Sequence, residues 1–228
     1  MYTLVLLRHG QSVHNLEGKF SGWSDTPLTQ QGRDEAMQAG KTLIGQGYTF
    51  NEAHTNLLTR AIVTTWLTLE QMNLVWIPIL KHWRLNERCY GALQTFTHEE
   101  LEQRVGKEQV FLWRRGFDNP LPLLDEADPR FPKNDLRYKD VPETLIPRGE
   151  SLKQTLDRVM PYWNDTLAPA IKSGKKLLIS ASHNSLRAII KHLENIDDQI
   201  IPTVVMPTGK PYVYTLDDNL NVVEKKIL

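Results

Sequence analysis

Near the start of the chain, Thr3-Leu4-Val5-Leu6-Leu7 is an unbroken apolar run that ends at Arg8-His9-Gly10. A run without polar alternation suits a strand covered on both faces. Lys176-Leu177-Leu178-Ile179-Ser180-Ala181 repeats the pattern far along the chain. Such strands need a helical layer on each side, which commits the chain to a layered α/β fold.

The segments between them alternate accordingly. A helix is expected from about Thr29, with Ala36, Ala39 and Leu43 at helical spacing and Gly45 or Gly47 as its stop. A strand at Glu52–Thr55, a helix from Thr59 to Leu69 and a strand through Trp76-Ile77-Pro78-Ile79-Leu80 follow, the proline suiting a strand start or edge. Thr97–Arg115 reads as helical and charged. Asn119–Gly149 holds six of the 13 prolines and little periodicity, an excursion from the core. Leu152, Leu156, Val159 and Trp163 share one face of a helix over Ser151–Leu167, which Pro161 is expected to bend or end early. Another helix runs from Ser185 to about Leu193. Tyr212–Leu216 and Asn221–Glu224 flank Asp217-Asp218-Asn219 as a terminal hairpin. The expectation is one domain over 1–228: a three-layer α/β/α sandwich, its sheet mostly parallel with an antiparallel edge, with a cap inserted at about 95–145.

At 228 residues the chain can bury an adequate core without staples. Lys plus Arg and Asp plus Glu are both 27, and this balance argues against a nucleic-acid-coating protein. One cysteine, Cys89, leaves no intrachain disulfide and no paired-cysteine zinc motif. Tyr2–Leu7 is too short for a signal segment or a membrane span. A cytoplasmic protein without metal, membrane or nucleic-acid partner is expected.

In open α/β sheets, ligands bind beyond the carboxyl ends of the strands. Four segments stand there: Arg8-His9-Gly10, Asn56 through Arg60, Arg84 through Arg88, and Ser182-His183-Asn184 with Arg187 behind it. A neutral imidazole at His9 is a nucleophile for phosphorus, and glycine beside it permits close approach to a ligand. Arg8, Arg60 and the Arg114-Arg115 pair offer guanidinium forks to phosphate oxygens. Glu87 is a candidate general acid and base. Each has an ordinary alternative: a strand-end histidine, solvated arginines, an Arg–Glu ion pair. Convergence decides between them. His98-Glu99-Glu100 lacks the second histidine of a zinc-protease motif and reads as an exposed helix face. Trp66, Trp76, Trp83, Trp113 and Trp163 read as core or junction residues.

Taken in order, LVLLRHGQSVHN (Leu4–Asn15), FSGWSDTPLT (Phe20–Thr29), LLTRAIVT (Leu57–Thr64), WRLNERCYGALQ (Trp83–Gln94), EQVFLWRRGFD (Glu108–Asp118), ESLKQT (Glu150–Thr155), NSLRAIIKHLE (Asn184–Glu194) and PTGKPYVY (Pro207–Tyr214) resemble the cofactor-dependent phosphoglycerate mutases of the histidine phosphatase superfamily. The resemblance implies a phosphoglycerate-mutase-like fold, with His9 as the phosphorylated nucleophile and Glu87 as proton donor and acceptor. It implies that Arg8, Asn15, Ser21, Gly22, Arg60, Arg88, Tyr90, His98, Arg114, Arg115 and Asn184 line the substrate site. It further implies interconversion of 3-phosphoglycerate and 2-phosphoglycerate in glycolysis and gluconeogenesis, primed by 2,3-bisphosphoglycerate, in a homodimer or homotetramer.

The chain departs from that pattern at Gln11, His14, Cys89 and His98, where the family usually has Glu, Trp, His and Lys. It departs most at Ser182-His183-Asn184, where the family has His-Gly-Asn. Ser182 then stands in place of the second catalytic histidine. A one-residue bulge before His183 would return an imidazole to that place, and His183 is expected to serve there. The alternatives are a weakly active phosphatase and a catalytically impaired phospho-ligand binder.

Overall fold

The computed structural model describes residues 1–228, the side chain of Asn134 excepted. In chain order its elements are β1 (Tyr2–Arg8), α1 (Val13–Leu16), α2 (Gln30–Gly45), β2 (Glu52–Thr55), α3 (Thr59–Gln71), β3 (Ile79–Lys81), α4 (His98–Val105), α5 (Lys107–Arg115), α6 (Leu152–Tyr162), α7 (Ala168–Lys172), β4 (Leu177–Ala181), α8 (His183–Glu194), β5 (Pro211–Leu216) and β6 (Val222–Ile227). They build a six-stranded sheet of order β3-β2-β4-β1-β5-β6. The first four strands in that order run parallel, and β5 and β6 add an antiparallel edge.

The apolar run of β1 is explained by its two faces. Leu4 and Leu6 point into a cluster with Leu177, Ile179, Val159, Ile189 and Ile190, under α6 and α8. Val5 and Leu7 point into the opposite cluster with Leu178, Ala39, Leu43 and Leu69, under α2 and α3. Both faces are dry, so neither parity of the strand tolerates a polar residue. Helices α2 and α3 meet closely at Gly40, where a Cβ would collide with the Thr68 carbonyl.

Several boundaries differ from the sequence reading. Trp76-Ile77-Pro78 lies outside the edge strand, which begins at Ile79, and Trp76 is exposed. Trp66 on α3 is also largely exposed, whereas Trp163 is buried and Trp83 and Trp113 are half-buried. The charged helical stretch breaks at Gly106, whose φ of 88° is a conformation glycine adopts without penalty. Pro161 lies inside α6; it supplies no N–H for the preceding turn, and the helix widens into a π-turn over Trp163–Leu167.

The 116–150 segment contains only short 3₁₀ turns and folds back on the loops at the carboxyl ends of the strands. Arg130 Nη1 donates to the Gln94 carbonyl at 2.8 Å, and the Tyr138 hydroxyl accepts from Asn86 Nδ2 at 2.9 Å. Among the described residues, no helix is long and apolar enough to cross a membrane.

Candidate active site

All four chemistry-bearing segments follow parallel strands and meet at one end of the sheet. His9, buried just beyond β1, is held by its own N–H to the Ala181 carbonyl at 3.0 Å. Its Nδ1 lies 2.8 Å from the Gly10 carbonyl. A carbonyl only accepts, so Nδ1 carries the proton and Nε2 presents a lone pair. Burial, then Arg60 and Arg8, holds the imidazole well below its ordinary pKa, so it is neutral at pH 7. A neutral ring whose Nε2 carries the lone pair is the nucleophilic form.

Arg60, in the first turn of α3, donates from Nε to His9 Nε2 at 3.2 Å. Its other nitrogens donate to the Ser24 and Gly22 carbonyls at 3.0 and 2.8 Å. Gly22 has a φ of 52°, and a side chain there would strike Gln94, so this turn requires glycine. Gly10 answers a different need from the one read in the sequence. Its missing Cβ makes room for the Gly32 carbonyl of α2, not for a ligand.

Glu87 is buried, and its Oε1 accepts the backbone N–H of Arg88 and of Asn184, both at 2.9 Å. Asn184 belongs to the first turn of α8, so a helix N-terminus steadies this carboxylate. The flanking arginines are engaged elsewhere. Arg84 lies over the Trp83 ring, and Arg88 donates to the Tyr90 hydroxyl and to the Trp113 and Arg114 carbonyls.

A cavity of about 240 Å³ opens between these loops. That is below the roughly 300–1,000 Å³ of drug-sized sites and suits a small metabolite. Of the residues singled out from sequence, Arg8, Asn15, Ser21, Glu87, Tyr90, His98, Arg114, Arg115 and His183 line it. His9, Gly22, Arg60, Arg88 and Asn184 are not part of that lining; of these, Arg88 and Asn184 are bonded to it, Asn184 Nδ2 donating to the Tyr90 hydroxyl at 3.0 Å.

The cavity and the layer behind it are rich in unmet donors. Arg8 Nε, Arg115 Nη1 and His183 Nε2, on residues that line it, and Arg88 Nε and Nη1 and Arg187 Nε, on residues that do not, are buried with no partner. Burial and neighbouring cations lower the pKa of Arg187 to about 10. Buried donors of this kind are costly unless a ligand satisfies them, and an anion does so.

Ser182 and His183 are arranged differently from the expectation. The β1–β4 pairing keeps one register from Leu4↔Leu177 to Arg8↔Ala181, so the strand does not bulge before His183. Instead α8 starts two residues earlier than its sequence pattern suggests, with Ser182 as the extended residue before it and His183 in its first turn. Ser182 Oγ accepts from Asn56 Nδ2 at 3.0 Å, away from helix capping. His183 lines the cavity from the helix end. Burial, then Arg8, Arg187, Arg115 and Arg88, keeps its ring neutral.

His98 is not the exposed helix residue its neighbours suggest. Its ring packs edge-on against Phe20 with centroids 4.7 Å apart, and burial with Arg114 and Arg115 pushes its pKa down to about 4. It therefore brings no charge at neutral pH. The sequence reading omitted His14, Gly18, Lys19 and Phe20 from the lining. His14 precedes Asn15 in the short α1 and was legible there only as a departure from tryptophan. Gly18, Lys19 and Phe20 enter through a bridge that pairs Lys19 with Thr97.

A buried strand-end histidine with a buried arginine on its Nε2, over a doubly covered α/β sheet, is an arrangement suited to phosphoryl transfer. The chain belongs to the histidine phosphatase superfamily (branch 1), whose model matches residues 4–126. That superfamily comprises phosphatases and mutases.

Solved structures of similar fold include a mycobacterial glucosyl-3-phosphoglycerate phosphatase complexed with VO3, at 20% identity and a TM-score of 0.74 over 100% of this chain and 97% of that one. An alpha-ribazole phosphatase from Shigella flexneri matches at 21% and 0.72, over 97% and 94%. YhfR of Bacillus stearothermophilus matches at 22% and 0.71, over 94% and 91%. At these identities the likeness establishes the fold. It does not single out the mutase branch that the sequence motifs resemble, and two of these neighbours are phosphatases by description.

Proposed function

We propose that the protein takes a phosphoryl group from a small phosphorylated hydroxy acid onto His9 and passes it to a second oxygen, interconverting 3-phosphoglycerate and 2-phosphoglycerate. The observation that carries this reading is the set of unpartnered guanidinium donors on Arg8 and Arg115 in the lining of so small a cavity, with those of Arg88 behind them. Together with Arg114 and His183 in the lining, they suit a ligand with two anionic groups close together. The same donors suit 2,3-bisphosphoglycerate, which when bound supplies the phosphoryl group that primes His9.

His9 Nε2, released as Arg60 Nε turns from it to a phosphoryl oxygen, attacks phosphorus as the P–O bond to the substrate breaks. Arg60 and Arg8 face the charge spread over the transferring oxygens. Glu87 gives its proton to the departing alkoxide and takes one from the hydroxyl that attacks the phosphohistidine in the return step. His183, Arg114 and Arg115 hold the distal anionic group. The reading extends to a cytoplasmic homodimer or homotetramer.

Hydrolysis is the second reading, with water as the acceptor and Glu87 as its base. The neighbours described as phosphatases support it more directly than isomerisation, and so does serine in place of the second catalytic histidine. One assay separates the two. The enzyme is given 3-phosphoglycerate with and without 2,3-bisphosphoglycerate, and 2-phosphoglycerate and inorganic phosphate are followed together, with His9→Ala as the blank. Cofactor-stimulated isomer formation that vanishes in the blank establishes the mutase. Phosphate release without isomer establishes the phosphatase, and binding without either leaves a phospho-ligand binder.

A further inference from the structure

We propose that the buried Arg158–Glu150 ion pair is a positioning device for Glu87 that sets the rate of steps in which a poor leaving group needs a proton; this rests on Glu87 being the proton-transferring carboxylate. Arg158 sits on the inner face of α6, and neither partner lines the central cavity. Its Nε donates to Glu150 Oε1 at 2.6 Å and its Nη2 to Glu150 Oε2 at 3.0 Å. The same guanidinium donates to four carbonyls of the segment carrying Glu87: Trp83 at 3.3 Å, Arg84 at 2.7 Å, and Asn86 and Glu87 at 3.2 Å each. Glu150 Oε2 in turn accepts the Cys89 N–H at 2.8 Å. One ion pair therefore grips the backbone on both sides of Glu87.

Other bonds tie that segment down at Leu85 and Asn86 but do not meet the Glu87 backbone: Asn56 Nδ2 donates to the Leu85 carbonyl at 3.1 Å, the Leu57 N–H to Asn86 Oδ1 at 3.0 Å, and Asn86 Nδ2 to the Tyr138 hydroxyl at 2.9 Å. The segment holds a three-residue 3₁₀ turn and no strand pairing. The Glu87 carbonyl has one other donor, Trp23 Nε1 at 2.7 Å, from an indole whose ring lies 5.5 Å from the Arg158 guanidinium. A buried ion pair is weak evidence of stabilisation, because an apolar pair of the same volume often does as well. What an apolar pair lacks is directed hydrogen bonds. These fix the Glu87 backbone while Arg88 and Asn184 fix its Oε1, and a proton donor must sit within hydrogen-bond reach of the oxygen it serves.

The test uses the dependence on leaving group. An alkyl phosphate such as 3-phosphoglycerate needs its departing alkoxide protonated, whereas para-nitrophenyl phosphate releases an anion stable near neutrality. Single-turnover phosphorylation of His9 is measured with both donors in wild type, Arg158→Lys, Glu150→Gln and Glu87→Gln. Arg158→Lys keeps the charge opposite Glu150 and loses the fork. It is expected to slow transfer from the alkyl phosphate by about 10- to 100-fold and to leave transfer from the nitrophenyl ester little changed. Glu87→Gln is expected to show the same selectivity, more strongly.

If Glu87→Gln slows both donors equally, its proton-transfer role fails and the proposal falls with it. If Glu87→Gln discriminates but Arg158→Lys slows both donors alike or neither, the positioning role alone is overturned. Should Arg158→Lys fail to fold, Glu150→Gln carries the test, since it keeps the side-chain shape and removes the carboxylate that fixes the Arg158 fork. Selective loss with the alkyl ester supports the proposal, and uniform or absent loss overturns it.

Discussion

Ser182 and His98 differ from the sequence pattern they resemble, and each difference has a measurable consequence. Ser182 Oγ is engaged by Asn56. Ser182→Ala should therefore cost about 1 kcal/mol of stability in denaturant melts while kcat changes little. A fall in kcat of about 100-fold would instead make the hydroxyl a donor to the transferring group. His98 is neutral beside Arg114 and Arg115, so His98→Lys adds a fixed charge to the cavity wall. The expected result is a KM for 3-phosphoglycerate lowered about tenfold at low ionic strength, or about 1.4 kcal/mol, with kcat unchanged and a steeper salt dependence.

The loops between elements are held by close backbone crossings that leave no room for a side chain. The turn after β1 passes against the start of α2 at Gly10 and Gly32, each occupying the space where the other's neighbourhood would carry a Cβ. Gly10→Ala should destabilise by more than about 2 kcal/mol, read as a lowered denaturation midpoint, with no direct effect on ligand contacts. Gly91 has φ 57° and lies against the Pro122 carbonyl, where the returning 116–150 segment is pinned. Gly91→Ala should loosen that segment as well as destabilise, detectable as faster proteolysis between residues 116 and 150. Element types were legible in the sequence from their periodicity. Boundaries were not: the start of α8 depends on Ser182 adopting an extended conformation at the end of β4, and that is set by β4's neighbours.

As a whole, the molecule carries buried cations with unmet donors and several buried neutral histidines. Inorganic phosphate should bind this pocket and stabilise it; at 100 times its Kd the gain is about 2.7 kcal/mol, a rise in Tm of roughly 5–10 °C for a chain of this size. Absence of a shift would argue against an anion site. The histidines predict acid sensitivity. His9 and His183 are held well below 6.5, and His82 and His98 are pushed down to about 4. The unfolded chain binds these protons more readily, so unfolding is favoured as they bind. The contribution is full above about pH 6.5, and falls as the pH drops from there toward 4. Chemical melts across that range, with and without phosphate, measure it.

The sequence alone marked the two central strands, β1 and β4, because a strand dry on both faces carries a short continuous apolar run, and it determined which loops reach one end, because parallel strands place their carboxyl ends together. It also marked most of the cavity lining through the motif resemblance. Tertiary structure decided the rest. That Ser182 turns to Asn56 and His183 faces the cavity from a helix end follows from an unbroken β1–β4 register, a long-range pairing that local residues do not encode. That His98 is neutral follows from burial beside two arginines of α5. The grip of Arg158 on Glu87 joins positions 71 residues apart, and only folding brings a guanidinium and those carbonyls into hydrogen-bonding range.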